Sequence, residues 1–190
     1  MLKLIAEAVL SIRGVERMLT FKPDWTDYFG FTEGAVWRSF RAVWIGLIFL
    51  CVMIAADWQA DGAVDVLLYL TVYSANWLVF PIVAAFAARL LGLTQGFGRW
   101  LILHNWTVLG LYSLLALMAL LRLSGLAAPD ILFLLTIAYH VFRMYAHWRV
   151  AHAALGLNPF QAGIAALMPF LAGNAVHEAV LTLMTSTPAG

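Results

Sequence analysis

The sequence predicts an all-α protein: a polytopic membrane helical bundle of five transmembrane helices, with an N-terminal amphipathic interfacial helix. Three observations predict it. Hydrophobic residues make up 64% of the 190-residue chain and charged residues 11%, with a mean hydropathy of +0.89. Soluble domains carry about 45–50% and about 25%. Apolar stretches approaching the ~20 residues needed to cross ~30 Å of hydrocarbon recur five times. Ten of the eleven Lys and Arg fall on one side of those stretches. This composition excludes an ordinary soluble domain and a disordered chain, and a net charge of +1 argues against a nucleic-acid partner. The single cysteine, Cys51, excludes a disulfide framework and any CxxC metal or redox motif.

Residues 1–35 read as a cytoplasmic amphipathic arm. Within residues 2–19, Ile5, Ala8, Val9, Ile12, Val15 and Leu19 repeat at helical spacing on one face, while Lys3, Glu7, Arg13 and Arg17 fall opposite. Phe21, Trp25, Tyr28, Phe29 and Phe31 follow, an aromatic set suited to a membrane interface. Residues 36–190 form the predicted five-helix transmembrane domain. Its first span covers about 37–56, with Thr32 as N-cap, Glu33 in the first turn, and Arg38 and Arg41 snorkelling to the headgroups. The second covers 66–88 and the third 100–121. The fourth, 131–150, is interrupted by Arg143 and Arg149. The fifth, 159–185, opens on Asn158-Pro159, a cap followed by proline at the first helical position, and Pro169 predicts a kink within it.

The loops set the orientation. Arg122 alone lies among the outer loops, whereas Lys3, Arg13, Arg17, Lys22, Arg38, Arg41, Arg89, Arg99, Arg143 and Arg149 cluster on the other side. The positive-inside rule therefore places the N-terminus in the cytoplasm and the C-terminus outside; the expected location is a bacterial inner membrane.

Ionisable groups inside spans are costly and point to function. Thr136, His140, Arg143 and His147, spaced 4, 3 and 4, share one face of the fourth helix and are expected to face other helices. Helical rise places His104 level with His147, Thr107 with Arg143, and Asn76 with His140. A polar pocket of Asn76, His104, Asn105, Thr107, His140, Arg143 and His147, open to the cytoplasm, follows from that bookkeeping. The same rise separates Glu178 from Arg143 by roughly 15 Å in depth. His177-Glu178 starts a zinc-protease HExxH, but Leu181 stands where the second histidine belongs, so no metal site is expected.

Five spans with a cytoplasmic N-terminus, the entry segment Val36-Trp37-Arg38-Ser39-Phe40 and the third-span opening Leu103-His104-Asn105-Trp106-Thr107 carry a resemblance. Over residues 36–185 the chain resembles bacterial members of the Yip (Ypt-interacting-protein-like) family of integral membrane proteins. The family's Asp-Leu-Tyr-Gly-Pro motif is absent. The resemblance implies a non-enzymatic membrane protein and supplies no catalytic residues. The expected function is thus a membrane scaffold or accessory subunit with no cofactor, whose partners are the lipid bilayer and other membrane subunits or copies of itself. Two alternatives stand beside it: a small-solute transporter or channel using the polar pocket, and a b-type haem protein with His104 and His147 as axial ligands.

Overall fold

A computed structural model describes residues 2–186; residues 1 and 187–190, the outermost ends of the predicted arm and transmembrane domain, lie outside the described residues. Those described are helical, with no strand among them. The helices are α1 (Leu2–Leu19), α2 (Glu33–Ser39), α3 (Arg41–Asp61), α4 (Val66–Leu90), α5 (Phe97–Leu123), α6 (Pro129–Leu155) and α7 (Pro159–Ser186), with 3-10 turns at Pro23–Tyr28 and Thr94–Gly96. Local chemistry fixes their ends. Thr32 Oγ1 accepts from the Ala35 amide at 3.2 Å, Asp65 Oδ1 from Leu68 at 2.9 Å, and Asn158 Oδ1 from Gln161 at 2.9 Å. Gly62 and Gly156 close α3 and α6 at φ 77° and 65°, a left-handed conformation glycine adopts without strain.

The first span lies within one apolar helical stretch, Glu33–Ala60, with a one-residue turn at Phe40 between α2 and α3. Beside that turn the Ser39 hydroxyl donates back to the Val36 carbonyl at 2.7 Å and accepts from Asn105 Nδ2 at 2.9 Å, tying α2 to α5. The span count is met in part. Among the described residues four helices, not five, are long and apolar enough to cross a membrane: Glu33–Ala60, Val66–Leu90, Thr94–Leu123 and Pro159–Val180. Helix α6 has the length, at 27 residues, but not the hydropathy. His140, Arg143 and His147 lower it.

The five long helices form a ring. Helix α3 packs on α5, α5 on α6, α6 on α7 and α7 on α4, and α4 meets α3 again at fewer points. Tyr73 closes that last seam by donating its hydroxyl to the Val43 carbonyl, while Asp57 accepts from Tyr69 and pairs with Arg122 at 2.8 Å.

For α6 and α7 packing is tight at one end of the ring only, while α3, α4 and α5 share a second buried cluster around Leu50, Tyr73, Trp77 and Leu109. Trp100 and Leu103 of α5, Ala84 and Ala87 of α4, Val150 and Ala151 of α6, and Ala162 and Ala165 of α7 are buried in one cluster with Met18 of α1. Alanines let the backbones approach closely. Toward the other end, no described residue of α6 before Ala146 or of α7 after Pro169 is buried.

The arm crosses the tight end. Its buried side is Ser11, Gly14, Val15 and Met18, leaving Ile5 and Val9 at 52% and 61% exposed. The predicted apolar stripe is therefore divided, its second half packed on the bundle and its first half turned outward. Glu7 pairs with Arg41 at 2.5 Å and with Arg38 at 3.6 Å, and Arg17 with Asp24, which raises the arginine pKa through their hydrogen bond. Tyr145 donates to the Leu19 carbonyl, and the buried Arg149 guanidinium sits 4.3 Å over the Phe21 ring.

Candidate functional site: a cavity inside the helix ring

The loosely packed part of the ring encloses a cavity of about 730 Å³. Functional small-molecule pockets fall at roughly 300–1,000 Å³. Every long helix contributes: Leu50 and Met53 from α3, Tyr73 and Asn76 from α4, His104 and Tyr112 from α5, Arg143 from α6, Asn174 from α7.

The predicted polar stripe of α6 turns to this space. Thr136, His140, Arg143 and His147 all line it, joined by Asn76 and His104. Two predicted members do not. Asn105 points the other way and is 1% exposed, held to Ser39 between α5 and α2. Thr107 is buried at 4% exposure, outside the lining set. Depth bookkeeping places residues along a helix but not around it. At 100° per residue, Asn105 falls on a face of α5 that His104 does not share, whereas Thr107, 60° from His104, lies at the edge of the lining face and is covered there.

Arg143 is the central charge. It donates to Asn174 Oδ1 at 3.4 Å and lies 5.0 Å from the centre of the Phe170 ring. Among the described residues it forms no ion pair. The floor is made by His104, 5% exposed, whose ring lies flat on Phe80 and whose centroid is 5.3 Å from that of His147. Its Nδ1 is buried without a hydrogen-bond partner. Trp100, Leu101 and Leu103 seal the structure beneath this floor. At the other end of the cavity, Thr136, His140 and Glu178 are exposed. The mouth therefore faces away from the arm, which corrects the expectation of a pocket open on the arm's side.

The register of α6 against α7 explains a further correction. His147 meets Phe170 and Arg143 meets Asn174, so each residue of one helix pairs with a residue whose number makes a constant sum. Glu178 then lies level with Tyr139, about 6 Å in depth from Arg143 and not 15 Å. The expectation took residue 150 as the end of the fourth helix, whereas α6 continues to Leu155.

Asn174, Tyr112 and Tyr139 line the cavity but escaped sequence reasoning. Asn174 had a readable signal, as an amide within an apolar run and one turn before Glu178. The tyrosines had none, because aromatic residues in spans are common.

The haem alternative meets a packed pair. His104 and His147 are neighbours across α5 and α6, but Phe80 covers one face of His104 and His147 lies against it, leaving no gap for a macrocycle between them. No group of three metal-ligating side chains occurs among the described residues. No protein-family profile, curated protein or solved structure matches the chain.

Proposed function

We propose that this chain is a five-span integral membrane protein of the bacterial inner membrane, with its N-terminus in the cytoplasm, that binds a small molecule in a cavity opening to the outer side. The reading makes it a binding or carrier component and assigns it no catalysis. One observation carries it: a ring of five helices surrounds a cavity that holds Arg143 outside any ion pair, with the one lining carboxylate, Glu178, at the mouth. A subunit that only held a complex together has no use for such a space. An arginine at mid-span costs about 2.5–3.5 kcal/mol on insertion scales, so its retention there favours a ligand over a scaffold.

Helix α6 is the fifth span in this reading. Its 27 residues reach about 40 Å, beyond the ~30 Å of hydrocarbon. Its polar stripe faces the cavity, and Phe133, Ile137, Val141 and Met144, all at least 46% exposed, form an apolar face suited to lipid. The Yip-like resemblance of residues 36–185 belongs to the same reading, and the ten Lys and Arg on one side of the spans support the orientation.

Reporter fusions after Leu93, after Leu126 and at the C-terminus test it. The expected result is a cytoplasmic signal at the first site and an outside signal at the other two. A cytoplasmic C-terminus would mean that α6 does not cross and would remove the membrane ring around the cavity.

A further inference from the structure

We infer that the cavity takes an organic anion with an apolar body: a carboxylate that enters head first from the mouth and seats on Arg143. The inference rests on the reading of the cavity as a binding site and adds the chemical class of what it binds.

The charge comes first. A guanidinium has five N–H donors in a planar fork matched to a carboxylate. Arg143 uses one long hydrogen bond, to a neutral amide, and a ring contact. Its remaining donors have no acceptor among the described residues. Beside it at the closed end lies the orphaned Nδ1 of His104, 5% exposed and lining the same space. An unpaired guanidinium near the closed end of the cavity forms a seat for an anionic acceptor, with the His104 ring as part of the floor beneath it.

The walls decide the rest of the ligand. Leu50, Met53, Val72, Leu111, Leu115 and Met118 face the space above the seat. The one carboxylate that lines the cavity, Glu178, is exposed at the mouth, where water screens it. His104 meets His147, so Arg143 lies level with Val108 of α5, and from there the lining of α5 runs ten residues to Met118, roughly 15 Å. A medium-length hydrocarbon chain fits that depth. Such an amphiphile is drawn from the outer leaflet, whereas a short carboxylate comes from free solution.

Radiolabelled decanoate binding to the purified full chain in lipid nanodiscs tests the inference, with decanol and butyrate as unlabelled competitors. Saturable binding near one per chain is expected, with decanol at least about tenfold weaker, the scale of one lost charge-assisted hydrogen bond. Butyrate should compete more weakly still. Arg143→Gln should lower decanoate affinity by about tenfold or more while leaving decanol unchanged, and Arg143→Lys should restore part of the loss. Leu115→Trp, which fills the cavity, should abolish decanoate binding. Thermal unfolding of each variant shows whether it is folded.

If decanol equals decanoate and Leu115→Trp blocks both, the anionic class falls while the binding cavity stands. Butyrate competing as well as decanoate overturns the apolar body and makes a soluble carboxylate the ligand. No saturable binding of any probe overturns both the inference and the reading beneath it.

Discussion

Trp100→Ala lowers the stability of the folded bundle by about 3–5 kcal/mol, the range for an aromatic residue removed from a packed core. Trp100 is 1% exposed and meets Phe80 edge to face, with centroids 5.5 Å apart and planes at 85°. Its cluster is otherwise built largely from alanines of α4, α6 and α7, which have no side-chain length with which to refill the space. Phe80 in turn supports His104, so the floor of the cavity loosens with the core. Thermal or denaturant unfolding in mild detergent measures the change. Trp37→Ala is the control, because Trp37 is 71% exposed and its removal should shift stability by no more than about 0.5 kcal/mol. Equal effects of the two substitutions would show that the tight end is not the core.

Gly14→Leu separates the arm from its own turn at a cost of about 1–3 kcal/mol or more. A Cβ at Gly14 would stand 2.6 Å from Tyr28 Cβ and 2.6 Å from Phe29 Cε2. The phenylalanine ring can swing, but Tyr28 Cβ is fixed to the backbone and cannot. Leucine is a better helix former than glycine, so the loss comes from the clash and not from the helix itself. Hydrogen exchange should accelerate over residues 2–31 while α4 to α7 stay protected. Gly110→Ala tests the logic in reverse: its Cβ would make an ordinary 3.6 Å contact with Ile12, and the bundle should keep or gain stability. Unchanged exchange in Gly14→Leu would mean that the arm does not depend on this close approach.

Composition and caps made most of the fold legible. Thr32, Asn158 and Pro159 mark helix starts in sequence and do so in the structure. The turn at Phe40 was not legible, nor was the Ser39–Asn105 bond beside it, which joins residues 66 apart in the chain. For the site, the 4-3-4 spacing in α6 was readable because a helix repeats every 3.6 residues whatever surrounds it. The rotation of α5, which turns His104 to the cavity and Asn105 away, is set by packing against α2 and α3 and leaves no local mark. The direction of the mouth is likewise a property of the whole ring. It follows from alanines clustering at one end of α4, α6 and α7, a pattern that spans three helices and has no meaning in any one of them.

Cysteine accessibility tests the central claim most directly, that the polar face of α6 lines a water-filled cavity open to the outer side. Cys51 is exposed and is first replaced by serine. Single cysteines are then placed at Thr136 and His140, which line the cavity, and at Leu134 and Val141, which are 63% and 64% exposed on the opposite face. A membrane-impermeant thiol reagent is applied from outside to intact cells. The account predicts rapid labelling of Thr136→Cys and His140→Cys and none of Leu134→Cys or Val141→Cys. Labelling of the second pair in place of the first, or of the first pair only from the cytoplasmic side, would contradict it.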